Sequence, residues 1–387
     1  MGKIVIAPDK YKGCLSSPAV CAAIREGLQK SLTDDWRIKI CPQADGGEGT
    51  VEAIVAAMDG ELKKSKVKGP RGKKIEAGWG WIPAANNPGA NHPAAVIEMA
   101  AASGLALLKP EQQNPLLTTS YGTGQLIREA AQAGAGEILL GIGGSATVDG
   151  GLGIALALGF EVFDRLGDPV GEGGAALANV SEIRAENIPD CVKKLDIKVA
   201  CDVTNPLLGS EGAARVYGPQ KGADRDMVET LEKAMENWAD VIESYSGSRL
   251  RNTPGTGAAG GIGFCLMGLL DAELTSGAKL VVELTKLSHH LKNADVLITG
   301  EGALDDQTAY GKTPAVVADL GKKQQVELII GIAGALLDGY RELYDRFDIL
   351  LALPRRPLTL EESIEQAHQL LEDWGADIGR LLKKFCG

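Results

Sequence analysis

Short β-branched runs, each followed by a glycine- or acid-bearing loop and then by a helical pattern, recur at both ends of the chain. Lys3 to Ala7 is the first such run, ending at Pro8-Asp9. After the loop Lys10 to Ser16, Ser17-Pro18 reads as a helix start, with Ser as cap and Pro at the first helical position. Arg37 to Cys41 repeats the strand pattern, Ala44 to Thr50 is rich in glycine, and Val51 to Met58 reads as helix. Towards the C-terminus, Val296 to Thr299 leads into a loop of glycines and acids, Glu327 to Ala333 into Gly334, and Asp348 to Leu353 into Pro354. The last helix is predicted over Leu360 to Lys384. Continuous apolar strands alternating with helices predict a parallel sheet covered on both faces.

Between these ends the grammar changes. Val67 to Trp81 carries Gly69-Pro70-Arg71-Gly72 between extended residues, a hairpin pattern, and turn signals recur up to residue 284. The expected architecture is α/β with two domains. Residues 1–65 and 285–387 form a discontinuous Rossmann- or flavodoxin-like parallel-sheet domain, and residues 66–284 form an inserted mixed α/β domain. Two chain crossings between them would allow a cleft to close.

Composition narrows the class. The chain has 387 residues, 44% of them hydrophobic and 24% charged, which suits ordinary globular domains. Glycine is in excess at 50 residues, as suits turns and backbone-lined sites. The net charge of −11 opposes nucleic acid and anionic membrane as partners, so an anionic ligand would need local positive potential. Seven cysteines, with no C-x-x-C pair, indicate neither a disulfide framework nor a zinc ribbon. The start Met1-Gly2-Lys3 runs straight into a strand, and no apolar stretch is long enough for a membrane span. A cytoplasmic protein acting on small molecules is expected, with a homo-oligomer left open.

Four glycine-rich loops adjoin predicted strands or loops: Gly46-Gly47-Glu48-Gly49, Gly141 to Ser145, Gly255 to Gly263, and Gly300-Glu301-Gly302. Each can present converging backbone N–H groups to an oxyanion, or can be a plain turn. Gly141-x-Gly143-x-x-Ala146 formally fits a dinucleotide fingerprint, with Glu161 twenty residues on. An NAD(P)-dependent oxidoreductase is therefore the rival reading, although Ser145, Thr147 and Asp149 crowd that turn with oxygens. Gly311-Lys312-Thr313 ends like a P-loop, but Asp306 stands where the first glycine belongs. No serine-hydrolase elbow or zinc-protease spacing is present.

The acids placed for chemistry are Asp9, Asp45, Glu48, Asp202, Glu301 and Asp305, in polar loops where open α/β sheets bind ligands. Several carboxylates beside a phosphate require a bridging Mg²⁺, the arrangement of phosphoryl transfer. Lys10 and Lys12 are the cations after the first strand.

These loops, in this order, resemble the bacterial type-1 glycerate kinase family. The segments are IAPDKYKGCLSS (6–17), PQADGGEGT (42–50), IEMAAASGL (97–105), TTSYGTGQLI (118–127), GIGGSATVDGG (141–151), CDVTNPLLGSEGA (201–213), YGPQKGA (217–223), PGTGAAGGIG (254–263) and ITGEGALDDQTAYGKTP (298–314). The resemblance implies ATP- and Mg²⁺-dependent phosphorylation of D-glycerate, usually at the 2-hydroxyl, on two α/β domains without a Walker fold. A kinase forming 3-phosphoglycerate, and a non-catalytic ligand sensor, are the further alternatives. Within that reading Lys12 neutralises substrate charge and Asp45 orients or deprotonates the hydroxyl. Gly46, Gly47, Gly143, Gly144, Ser145 and Lys312 bind substrate or phosphate, and Glu301, Asp305 and Glu48 hold Mg²⁺.

Overall fold

Alternation of apolar side chains along short strands builds three sheets, of five, six and two strands. The computed structural model describes residues 2–87 and 92–385. Its strands are β1 (Gly2–Ile6), β2 (Trp36–Ile40), β3 (Glu61–Lys68), β4 (Lys74–Ile82), β5 (Ala94–Glu98), β6 (Glu137–Gly141), β7 (Glu161–Phe163), β8 (Glu182–Arg184), β9 (Asp196–Ala200), β10 (Glu273–Thr275), β11 (Val296–Leu304), β12 (Leu328–Leu336) and β13 (Ile349–Ala352). The chain divides into two compact units: Met1–Asp45, Glu52–Gly60 and Ala278–Gly387 form unit 1, and Gly46–Val51 with Glu61–Gly277 form unit 2. Each is an α/β structure.

Unit 1 holds a five-stranded sheet in the order β13-β12-β11-β1-β2, parallel throughout. Ile4, Ile6, Val296, Ile298, Ile330 and Ile332 point into one core, with Val20, Ile24 and Leu28 of helix Ser17–Gln29 and Leu371 and Ile378 of helix Ala367–Phe385. Val5, Leu297, Ile329 and Ala333 point the other way, against Leu287, Leu291, Val317 and Ala318. This period-two partition gives the sheet its two covered faces. From β1 the chain moves outward to β2, and from β11 it moves outward the opposite way to β12 and β13. The order therefore reverses between β1 and β11, and open α/β sheets bind ligands at the carboxyl ends of strands beside such a reversal.

Three local expectations are corrected in unit 1. Gly300-Glu301-Gly302 is not a loop after a strand: β11 continues to Leu304, paired with β12 through Glu301↔Ala333 and Leu304↔Leu336. A Cβ on Gly300 would lie 1.7 Å from the Ile332 carbonyl oxygen, so glycine here permits close strand pairing. The helix cap is Ser16 rather than Ser17, because the Ser17 hydroxyl donates to the Pro8 carbonyl (2.6 Å) and accepts from the Gln43 amide (3.1 Å). The final helix is two, Leu360–Glu365 and Ala367–Phe385, interrupted where Gln366 leaves helical geometry at φ −94°, ψ 1°.

Unit 2 holds a six-stranded sheet in the order β10-β9-β6-β5-β4-β3. β5, β6, β9 and β10 are parallel, and the β3–β4 hairpin closes over the expected Gly69 to Gly72 turn and pairs with β5 antiparallel. Its core gathers Ile97, Ile138, Leu140, Val199, Phe264 and Trp238. Trp238 lies on helix Arg225–Ser246, whose buried residues recur every three or four positions and whose start is capped by Asp224.

Cys14, Cys21, Cys41, Cys191, Cys201 and Cys265 are free thiols, and Cys386 lies outside the described residues. Among the described residues no helix is long and apolar enough to cross a membrane.

The crossing of helices Ser17–Gln29 and Ala367–Phe385 depends on glycine. A Cβ on Gly27 would lie 1.9 Å from the Glu372 carbonyl oxygen, and one on Gly375 would lie 2.4 Å from that of Ile24. Helix propensity alone predicts that Gly27→Ala stabilises by up to ~1 kcal/mol. We expect the opposite sign, a loss of about 1–3 kcal/mol as the helices are forced apart. Urea denaturation decides between them, and a stabilised variant would refute this crossing.

Candidate active site

In unit 1 the carboxyl ends of β1 and β11 place acids side by side. The Asp9 amide donates to the Gly300 carbonyl at 2.8 Å, which joins the two strand ends across the reversal. The Asp9 carboxylate is buried, accepting at Oδ1 from the Lys10 amide (2.6 Å) and at Oδ2 from the Thr313 hydroxyl (2.8 Å). Burial pushes its carboxyl up to about 6, against the pull of the Lys10 ammonium and with the further push of Asp45. Glu301, on β11, is pushed up to about 7, chiefly by burial; Lys312 opposes the shift, while Asp9 and Asp305 add to it. The Thr308 hydroxyl donates to Glu301 Oε1 at 3.2 Å.

Asp305 caps the 3-10 turn Asp306–Tyr310, accepting from the Thr308 amide at 2.9 Å and from Lys312 Nζ at 3.0 Å. Burial pushes its carboxyl up, but hydrogen bonds from Lys312 and Thr308 outweigh this and hold it below the usual range. Lys312 is the N-cap residue of helix Thr313–Lys323. The Lys10–Lys12 loop is anchored by the buried Tyr11, whose hydroxyl donates to the Ile332 carbonyl at 2.6 Å. The exposed Lys12 has its amide nitrogen 3.4 Å from where a Cβ on Gly302 would stand. Lys10 Nζ lies 3.1 Å from Asp45 Oδ1, and the Asp45 side chain is half exposed. Unit 1 thus brings Lys12, Asp45, Glu301, Asp305 and Lys312 to one region through Asp9, Gly302 and Thr308.

In unit 2 three of the four glycine loops pack on one another. A Cβ on Gly141 would lie 2.3 Å from the Gly46 carbonyl oxygen, one on Gly143 would lie 3.5 Å from the Gly47 α-carbon, and one on Gly260 would lie 2.2 Å from the Thr147 carbonyl oxygen. Gly46 and Gly144 take the left-handed conformation, with φ +87° and +70°. The turn Gly143-Gly144-Ser145 is fixed by Leu105 donating to the Gly144 carbonyl (2.8 Å) and Ala146 donating to the Ser103 carbonyl (2.9 Å). Gly46, Gly47, Gly143, Gly144 and Ser145 therefore do come together. Glu48 is exposed on the 46–51 segment of unit 2, whereas Glu301 and Asp305 belong to unit 1.

Two buried charged residues of unit 2, Asp149 and Lys221, stand outside the residues that the sequence marks for substrate or metal. Asp149 Oδ2 accepts from the Ser120 amide (2.7 Å), the Ser120 hydroxyl (2.8 Å) and the Gly153 amide (3.3 Å), and its Oδ1 accepts from the Gly151 amide (3.2 Å). Burial nonetheless raises its carboxyl above the usual range, since those bonds only partly offset desolvation. Lys221 Nζ donates to the Ser145 hydroxyl and to the Thr147 carbonyl, each at 2.7 Å. Nothing in the local sequence marks Lys221 as buried; its one signal is its place within YGPQKGA. Asp9 was visible as a loop acid without an assigned task.

The unit 1 donors are carboxylate and hydroxyl oxygens around partly desolvated acids, a set that suits Mg²⁺ rather than zinc. Among the described residues, three His, Cys, Asp or Glu ligand atoms within 4.8 Å of one another occur only at Glu26, His368 and Glu372, on the surface of unit 1. Around Glu301, Lys312 supplies positive charge beside Asp305. The dinucleotide reading lacks its context: after β6 the next helix, Leu152–Leu158, begins eleven residues beyond Gly141, so the glycines do not open a helix. Glu161 sits on β7 and accepts from Asn187 at 2.9 Å.

Residues 4–383 match the family model described as "Glycerate kinase family". The chain is 42% identical to a glycerate kinase of Halalkalibacterium halodurans, over 98% of this chain and 97% of that one. It is also 42% identical to the glycerate 2-kinase of Escherichia coli K12, over 95% of this chain and 94% of that one. A crystal structure assigned to glycerate kinase 2 of Salmonella typhimurium LT2 superposes with a TM-score of 0.89 at 40% identity, covering 99% of this chain and 98% of that one.

Removing the Asp149 carboxylate would orphan the buried donors of Ser120, Gly151 and Gly153. Asp149→Ala is expected to destabilise the protein by about 2–4 kcal/mol, and Asp149→Asn, which keeps one acceptor oxygen, by less. Equal midpoints for wild type and Asp149→Ala in guanidinium unfolding would show that the network carries no stability.

Proposed function

The chain belongs to the glycerate kinase family, and from this we propose that it transfers the γ-phosphoryl group of ATP to the 2-hydroxyl of D-glycerate, giving 2-phosphoglycerate and ADP. The observation that carries a phosphoryl-transfer chemistry is the meeting of Asp9 and Glu301 at the strand-order reversal of the parallel sheet, with Lys312 and Asp305 beside them. The name of the E. coli relative supports the 2-position. Six free thiols agree with action in a reducing cytoplasm.

The glycerate oxygen attacks the γ-phosphorus, the bond to the β,γ-bridging oxygen breaks, ADP departs, and the hydroxyl proton passes to a carboxylate. Such a transition state is stabilised by positioning and charge neutralisation. Lys12, exposed in the loop after β1, meets the substrate carboxylate or the moving phosphoryl group, and Lys312 meets phosphate. Gly46, Gly47, Gly143, Gly144 and Ser145 offer backbone and hydroxyl donors to phosphate oxygens. Glu301 and Asp305 of unit 1 would hold Mg²⁺, which when bound offsets phosphate charge. Asp45, held by Lys10, orients or deprotonates the hydroxyl.

Glu301 is a second candidate for the base, because burial brings its carboxyl to about 7, where a general base works best near neutrality. The two roles separate in kinetics. Loss of a positioned base costs ~10²–10⁴ in kcat. Asp45→Asn is expected to lose that factor, while Glu301→Gln shifts the Mg²⁺ titration to higher concentration. An Asp45→Asn enzyme of wild-type kcat, together with Glu301→Gln that loses kcat at unchanged Mg²⁺ dependence, would transfer the base role to Glu301.

The reaction itself is read by ADP release with D-glycerate, followed by enzymatic discrimination of 2- from 3-phosphoglycerate. The 2-isomer is expected. The 3-isomer would correct the regiochemistry, and saturable NADH binding without ADP release would restore the oxidoreductase reading.

A further inference from the structure

Lys221 is 2% exposed, at the end of the 3-10 turn Pro219–Lys221, and has no role in the reaction outlined above. Its ammonium is a donor only. One of its hydrogens goes to the Thr147 carbonyl and another to Ser145 Oγ, both at 2.7 Å. A serine hydroxyl that accepts from an ammonium must direct its own hydrogen elsewhere. We propose that Lys221 is a positioning residue that fixes Ser145 as a hydrogen-bond donor to an anionic oxygen of a substrate.

The surroundings of Lys221 support this. A buried ammonium is costly unless paired. The charged group that opposes the cost is Asp149, and that carboxylate is already engaged by Ser120, Gly151 and Gly153. The Tyr217 ring, whose centroid lies 5.9 Å from Nζ, adds only a weak cation–π contact. Burial accordingly brings the amine down to about 7. An anionic oxygen received by Ser145 would supply the missing negative charge one hydrogen bond away. The Thr147 hydroxyl, fully buried in the same turn, has no hydrogen-bond partner among the described residues, so the turn retains unused polar capacity as it stands. Ser145 is 7% exposed, and its backbone is held by the bridge to Gly104. A tie that served only to join the 219–221 turn to the 145–147 segment would need no charge, since any hydrogen-bonding or packed side chain would do.

The inference rests on the assignment of Ser145 to substrate binding, and its test separates the two. Lys221→Met keeps length and packing and removes the charge; Ser145→Ala keeps the lysine and removes the relay. In steady-state assays each is expected to raise KM about tenfold or more for one anionic substrate, the order expected for a lost charge-assisted hydrogen bond, with the other KM unchanged. A rise for D-glycerate identifies a carboxylate at Ser145, and a rise for ATP a phosphate. The double variant is expected to be no worse than either single variant, because both remove the same interaction. If Lys221→Met fails to fold, calorimetric titration of Ser145→Ala with D-glycerate and with ADP reads the same loss. Unchanged KM and affinity in Ser145→Ala, or multiplying effects in the double variant, would overturn the inference. The reaction assignment fails separately, if the wild-type protein releases no ADP with D-glycerate.

Discussion

Close approach of one backbone to another, possible only where the Cβ is missing, is the constraint on which both groups of candidate residues depend. Gly300 lets β11 continue against the Ile332 carbonyl, so that Glu301 is delivered on a rigid strand rather than a loop. Gly141 admits the Gly46 carbonyl, and Gly260 admits that of Thr147, which stacks three loops around the Gly143 to Ser145 turn. A single added methyl group at any of these points would meet a carbonyl oxygen well inside contact distance. The glycine excess in the sequence is in this sense a packing device.

Electrostatics is the second constraint. A chain of net charge −11 would repel a triphosphate at long range, so attraction has to be local. In unit 1 the candidate cations are Lys10, Lys12 and Lys312, two of which already pair with acids of the same region. The acids are desolvated enough that Asp9 and Glu301 both titrate upward. Their ionisation is thereby coupled to whatever cation arrives, because added positive charge favours the charged carboxylates. Unit 2 differs in having one cation, Lys221, held against the glycine turn and out of solvent.

Much of the fold was legible in the sequence because strand and helix periodicity are local. The alternation of Ile4 and Ile6 against Val5 marks a strand buried on both faces before any partner is known. The Gly69 to Gly72 turn signals a hairpin for the same reason. The errors fall where a distant partner decides. Gly300 and Gly334 read as strand ends, yet β11 and β12 pair with each other far enough that each runs on through its glycine. Ser17 reads as a cap, yet its hydroxyl is drawn to Pro8 and Gln43.

The amino-acid order by itself determined the alternating α/β grammar, the glycine loops, the acids at strand ends and the family resemblance, because each is carried by residues adjacent in the chain. Tertiary structure alone decided that β1 and β11 are neighbours, which turns Asp9 and Glu301 into a pair although 292 positions separate the residues. It alone decided that Lys221 lies buried beneath Ser145, 76 positions away. Burial and charge coupling are properties of the surroundings in space, and no window along the sequence contains them.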